Sequence, residues 1–167
     1  MNIALFLQMA AEACPDRPAL TYDGKHYTYA QLFSAAKRAA LYFSTGNCKF
    51  VCLLDTSSPA TPIALMGAAI AGIPYVPLNY RLSEEQLTPL LDRISPAYLI
   101  SGPRNETYDF DGWVVQDSAD FLSDVLNGEE VEVAWHEDPS AVAVQLFTSG
   151  TTGIPKAALL RHEHLVS

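Results

Sequence analysis

The sequence predicts an α/β fold, a parallel-sheet layer with crossover helices. Two observations carry this. Short apolar or β-prone runs at 50–54, 75–78 and 97–100 alternate with helix-like stretches at 60–71 and 84–94, the pattern of parallel strands joined by crossover helices. Phe50-Val-Cys-Leu-Leu54 is continuously apolar, as in strands buried on both faces. A length of 167 residues fits one domain, and 49% hydrophobic against 17% charged residues supplies a core and excludes a disordered chain.

The elements follow in order. Ile3, Phe6, Leu7 and Ala10 fall at helical spacing, which predicts an amphipathic first helix. A loop with two prolines, Cys14 to Pro18, precedes Ala19–Tyr22 and Lys25–Tyr29, two β-prone runs around Asp23-Gly24; this is a hairpin signal. Ala30 to Ser44 reads as a helix through Leu32, Ala36, Ala39, Ala40 and Phe43, closed by Gly46-Asn47. Ser57-Ser58-Pro59 opens the small-residue helix 60–71, and Gly72 stops it. Tyr75–Leu78 is a short strand that ends, or lies at an edge, at Pro77. Ser83 and Gln86 form a capping box for a helix running to about Ile94. After the strand 97–100, Trp113–Val115 reads as a strand and Ser118–Leu126 as a helix ended by Asn127-Gly128. Val131, Val133 and Trp135 then alternate with polar residues.

The net charge of −9 argues against a nucleic-acid binder held by phosphate neutralisation. Residues 105–138 hold eleven acids and no Lys or Arg, while the remainder sums to +2. A solvated acidic face is the expected meaning. Cys14, Cys48 and Cys52 have no metal-ligand or C-x-x-C spacing and read as buried thiols in a reducing compartment. His162-x-His164 alone is too sparse for a zinc site. The N-terminus has no positive n-region, and Pro59, Pro62, Pro74 and Pro77 interrupt the longest charge-free run. No transmembrane segment is expected, and a cytoplasmic location is the default.

The chemistry sits at 141–162. Seven β-prone or apolar residues enter a loop of Thr, Ser and Gly, which leaves through Pro155 and Lys156 into a second apolar run. Gly150 and Gly153 permit close backbone approaches, and their N–H groups can form an anion-binding nest. The hydroxyls of Thr148, Ser149, Thr151 and Thr152 add donors and can reach a magnesium ion, and Lys156 supplies a full charge. A P-loop is absent, because Pro155 occupies the fifth position beyond Gly150 and Ala157 follows Lys156. G-x-G-x-x-G is absent as well. An ordinary Ser/Thr/Gly turn between two strands is the competing reading.

Thr148-Ser-Gly-Thr-Thr-Gly-Ile-Pro-Lys156 resembles the T-S-G-T-T-G-x-P-K signature of the adenylate-forming acyl-CoA synthetases. That superfamily also contains peptide-synthetase adenylation domains and the firefly luciferases. Tyr27-Thr-Tyr-Ala-Gln-Leu32 and Ala71-Gly-Ile-Pro-Tyr-Val-Pro-Leu-Asn79 resemble two further family segments, and His162 stands where the family often has a histidine. The resemblance covers about residues 15 to 165; Ala157 departs from the family's usual glycine.

The resemblance implies that residues 1–167 form the N-terminal subdomain of a larger AMP-binding ligase, with the phosphate loop between two strands. The adenine and ribose contacts, the acyl pocket and the C-terminal lysine would lie beyond it. It implies activation of a carboxylic acid, with a fatty acid preferred, by ATP and Mg2+ through acyl-AMP to a coenzyme A thioester. Thr148 would contact magnesium; Ser149, Gly150, Thr151, Thr152 and Gly153 would wrap the β- and γ-phosphates; and Lys156 would neutralise them or anchor the loop. No complete catalytic set is expected within the segment, so alone it should be inactive. An apolar face normally covered by the rest of the enzyme would favour self-association. An aryl- or amino-acid adenylation domain is the alternative within the family, and a non-catalytic phosphate-binding or interaction module the alternative outside it.

Overall fold

The computed structural model describes residues 1–103, 111–148 and 155–166. In chain order the elements are α1 (Ala4–Ala13), β1 (Pro18–Tyr22), β2 (Lys25–Thr28), α2 (Tyr29–Thr45), β3 (Phe50–Leu54), α3 (Ala60–Ala71) and β4 (Tyr75–Pro77). They continue with α4 (Glu84–Leu91), β5 (Ala97–Ser101), β6 (Val114–Asp117), α5 (Ser118–Asn127), β7 (Val142–Thr148), β8 (Lys156–Arg161) and α6 (His162–Leu165). The strands β1 and β2 form the expected hairpin, with Asp23 and Gly24 both at positive φ in its turn.

The main sheet has the order β6-β5-β3-β4-β7-β8. Every neighbouring pair is parallel except β7 with β8, which is antiparallel. The sheet is therefore mixed rather than purely parallel. The reason is length: the connection 149–155 is too short for the dozen or so residues of a parallel crossover.

The two faces are covered by different helices. On one, Phe43, Ile63, Phe121 and Val125 of α2, α3 and α5 pack over Val51, Leu53, Tyr75, Tyr98 and Ile100. On the other, Leu87 and Leu91 of α4, with Ile94, cover Cys52, Leu54, Val76, Leu78 and Leu99. This double coverage explains why β3 and β5 read as continuous apolar runs. Among the cysteines only Cys52 is fully buried; Cys14 and Cys48 are half-buried, and all three are free thiols.

Local chemistry moves several boundaries. Helix α2 begins at Tyr29 because Thr28 caps it: the Thr28 hydroxyl accepts from the Gln31 N–H at 3.2 Å and Gln31 Oε1 accepts from the Thr28 N–H at 2.9 Å. Helix α4 ends at Leu91 rather than Ile94, since the N–H groups of Arg93 and Ile94 turn to the carbonyls of Leu90 and Leu91 three residues back, both at 3.1 Å. Strand β4 stops at Pro77 as expected, yet it lies inside the sheet between β3 and β7. It keeps that place because the Leu78 N–H restores pairing with the Leu53 carbonyl at 2.8 Å.

The helices α2 and α3 meet through small residues. A Cβ placed on Gly67 would lie 2.7 Å from Ala39 Cβ, 3.0 Å from the Ala36 carbonyl and 3.2 Å from the Ala40 nitrogen. Gly72, at φ +73°, closes α3; there a Cβ would collide with the His136 ring.

The acidic segment departs from a uniformly solvated face, because several of its carboxylates are structural acceptors. Asp117 caps α5 by accepting from the Ala119 and Asp120 N–H groups, and Asp124 accepts from Gln116 Nε2 at 2.7 Å. Glu130 accepts from Lys37 Nζ at 2.7 Å and from the Ser34 hydroxyl at 2.8 Å. The hydrogen bond from Lys37, then that from Ser34, holds the Glu130 carboxyl below its ordinary range. The alternation at Val131, Val133 and Trp135 forms no ladder. Instead Val133 and Trp135 pack on the cluster of Ile3, Ala36, Ala40 and Ile70, with the Trp135 ring 6.1 Å from Phe33.

Tyr75 is 3% exposed, and its buried hydroxyl has no hydrogen-bond partner. Burial raises its pKa, so it stays a neutral phenol. An orphaned buried hydroxyl costs about 1–3 kcal/mol. Tyr75→Phe is therefore expected to match or exceed the wild-type Tm. Tyr98→Phe, which loses the 2.5 Å bond to Gln116 Oε1, should lower it. Paired thermal melts check the contrast, and a Tm loss at Tyr75→Phe as large as at Tyr98→Phe would contradict it.

Candidate phosphate-binding hairpin

The strands β7 and β8 form a ladder in which Val144, Gln145, Leu146, Phe147 and Thr148 face Leu160, Leu159, Ala158, Ala157 and Lys156 in turn. Thr148 and Lys156 are thus the last pair of the ladder, at the end that the 149–155 connection joins. The Thr148 hydroxyl donates to the Lys156 carbonyl at 3.4 Å, and both residues are exposed. This end of the hairpin presents a hydroxyl and a flexible ammonium on adjacent strands. Ser149, Gly150, Thr151, Thr152 and Gly153 lie outside the described residues.

Ala157, the departure from the signature, sits in regular extended backbone opposite Phe147. Nothing at this position requires glycine. The signature segment therefore leads into a conventional strand.

One residue of this region has no signal in the sequence. Arg93 Nη1 donates to the Pro155 carbonyl at 2.6 Å, and the same guanidinium lies 5.2 Å from the centre of the Phe147 ring. It reaches the hairpin from the turn after α4, 62 residues before Pro155. Spacing rules address neighbours on one element and do not report such a contact.

His162 follows β8 at the end opposite Lys156. It is 1% exposed, its Nδ1 accepts from the Ile3 N–H at 3.3 Å, and its own N–H reaches the Ala141 carbonyl at 3.2 Å. It pins the start of α1 to the exit of β8. The Asn2 amide assists by donating to the carbonyls of Ala69 at 2.7 Å and His136 at 2.9 Å. Burial lowers the His162 pKa, with His136 and the terminal amine acting the same way and Asp138 opposing. The unfolded chain therefore takes up this proton first, near pH ~6.5. The contribution of His162 to stability is complete above that value and is lost as pH falls towards the depressed folded value. Wild-type Tm is expected to drop between pH 7 and pH 5, and His162→Gln should flatten that drop. An unchanged slope would remove His162 as its source.

Among the described residues, no group of three or more His, Cys, Asp or Glu is placed to hold a metal ion. No described helix is long and apolar enough to cross a membrane.

The fold agrees with what known proteins show. Residues 7–167 match the AMP-binding enzyme family, and the chain belongs to that family. It is 30% identical over 167 residues to a plipastatin synthase of Bacillus subtilis, covering 98% of this chain and 6% of that protein. It is 27% identical over 154 residues to the 2-succinylbenzoate–CoA ligase of the same organism, covering 90% of this chain and 32% of that protein. The chain thus spans a third or less of these relatives.

Among solved structures, a Mycobacterium tuberculosis fatty acyl CoA synthetase superposes with a TM-score of 0.82 at 24% identity, over 97% of this chain and 35% of that one. The N-terminal subdomain of Klebsiella oxytoca NpsA, in complex with 3-hydroxybenzoyl-AMSN, gives 0.78 at 23% identity, over 96% and 41%. The fold is that of the N-terminal subdomain of adenylate-forming enzymes.

Proposed function

We propose that residues 1–167 are the N-terminal subdomain of a longer AMP-forming ligase. The enzyme activates a carboxylic acid with ATP and passes the acyl group to the thiol of coenzyme A. The observation that carries this reading is the hairpin end, where Thr148 and Lys156 face each other at the two ends of the Thr148–Lys156 signature. In the first step a carboxylate oxygen attacks the α-phosphorus, the bond from that phosphorus to the bridging oxygen breaks, and pyrophosphate leaves. In the second the thiol sulfur displaces AMP from the acyl carbon. The role of this segment is electrostatic: the exposed Lys156 ammonium would offset the charge that grows on the departing pyrophosphate.

Magnesium, when bound, neutralises phosphate charge. It keeps several waters and takes few protein ligands beside substrate phosphates. A single exposed hydroxyl, that of Thr148, fits so sparse a donor set. Ser149 to Gly153 would hold the β- and γ-phosphates.

A second reading, an amino- or aryl-acid adenylation domain, is favoured by the similarity to the plipastatin synthase. For the first reading a fatty acid is the substrate class. Acid-dependent pyrophosphate–ATP exchange by the complete polypeptide, with fatty, aryl and amino acids and then coenzyme A, separates them. Exchange with fatty acids followed by a coenzyme A thioester supports the first. Exchange confined to amino or aryl acids, without transfer to coenzyme A, supports the second. No exchange with any acid overturns both and leaves a non-catalytic module. Residues 1–167 alone are expected to show no exchange.

A further inference from the structure

We propose that Arg93 is a positioning residue for the nucleotide-binding hairpin, a clamp that fixes the two strand ends carrying Thr148 and Lys156. This rests on the phosphate reading above. The geometry is specific. One guanidinium nitrogen donates to the Pro155 carbonyl at 2.6 Å, immediately before Lys156. The guanidinium also lies 5.2 Å from the centre of the Phe147 ring, immediately before Thr148. A single side chain thereby touches the residue adjoining each end of the signature segment.

The base of the clamp is stiff. Arg93 is held between Leu91, 1% exposed, and Ile94, fully buried. Its N–H bonds the Leu90 carbonyl at 3.1 Å. Phe147 packs against the same α4-covered cluster as Leu91 and Ile94, so both ends of the contact are referred to one rigid layer. The Arg93 side chain is exposed, and exposed cation–π contacts contribute little to global stability. Its effect falls on where the two strand ends sit. A planar fork suits this double duty: it bonds a carbonyl through one edge and lies over a ring through its face. Lysine offers a point charge without that plane.

The test uses the complete polypeptide with Arg93→Met, Arg93→Lys and, in parallel, Lys156→Ala. Steady-state exchange is measured with ATP and the acid varied separately, and Tm is recorded for each variant. Arg93→Met is expected to raise KM for ATP by about tenfold, the scale of one charge-assisted hydrogen bond. The acid KM should stay within about twofold, and Tm should shift by only about 2 °C, as for loss of an exposed contact. Arg93→Lys should recover part of the loss and remain at least about threefold above wild type, because the plane is still missing. An ATP KM unchanged in Arg93→Met overturns the proposal, as does a joint rise of both KM values with a large fall in Tm. Full recovery by Arg93→Lys also overturns it, because charge alone would then suffice. If Lys156→Ala impairs ATP use while Arg93→Met does not, the clamp fails and the phosphate reading stands. If Lys156→Ala leaves ATP use intact, the phosphate reading itself fails.

Discussion

Lys156→Ala in the complete enzyme is expected to lower acid-dependent pyrophosphate–ATP exchange by about 10²–10³-fold, the usual effect of removing one preorganised electrostatic contact at developing charge. Lys156 opens β8, exposed, at the last ladder pair with Thr148. Its removal should therefore leave the fold intact and act on the reaction. An unchanged Tm with a collapsed exchange rate is the expected pairing. Thr151→Ala, inside the signature, should weaken nucleotide use to a lesser degree, since it removes a neutral donor and not a charge. Unchanged exchange kinetics in both variants would refute the phosphate assignment.

The largest stability effect is expected at Gly67. The α2–α3 crossing leaves no room for a side chain: Ala39 Cβ would stand 2.7 Å from a new Cβ, and two backbone atoms of α2 within 3.2 Å. Backbone cannot rotate aside as a flexible side chain can, so the helices must part or the branch must distort. Gly67→Val is expected to cost about 3 kcal/mol or more, at or beyond the upper end of ordinary overpacking. Even Gly67→Ala should destabilise, although alanine favours a helix over glycine by about 1 kcal/mol. Ala39→Gly in the Gly67→Ala background removes the nearest atom and should restore part of the loss. Denaturant unfolding of the two single variants and the double variant checks this. A Gly67→Ala protein as stable as wild type would show that the crossing can relax.

Legibility in the sequence followed the range of the interactions. The run 50–54 and the stretch 60–71 announce a doubly covered strand and its crossover helix, because burial on both faces and close helix packing restrict composition directly. The antiparallel pairing of β7 with β8 follows from the shortness of the 149–155 link, a property of the chain rather than of any residue type. Boundaries were less visible where a short-range bond overrides composition. Tyr29 looks β-prone, yet Thr28 and Gln31 bond each other's backbone and start α2 there. Residues 131–135 alternate like a strand, yet Glu130 is fastened to Lys37 and Ser34 and the segment lies over α2 instead of joining a sheet. At the candidate site the signature was read directly from residue types. The Arg93 contacts, arising from a turn 62 residues before Pro155, depend on where α4 docks and leave no local pattern.

The bond from the Ile3 N–H to His162 spans 159 positions, and this orders assembly in time. Closing so long a loop costs entropy that nearby contacts do not incur, and contacts distant in sequence form slowly. A chain synthesised from its N-terminus can lay α1 against α2 and α3 early, through Ala4 against Ala36 and Ile70. The Ile3 amide must wait for β8 to be made. Helix α1 therefore acquires its bond to His162 only after β8 has been made, so a helix that docks early is among the last to be locked.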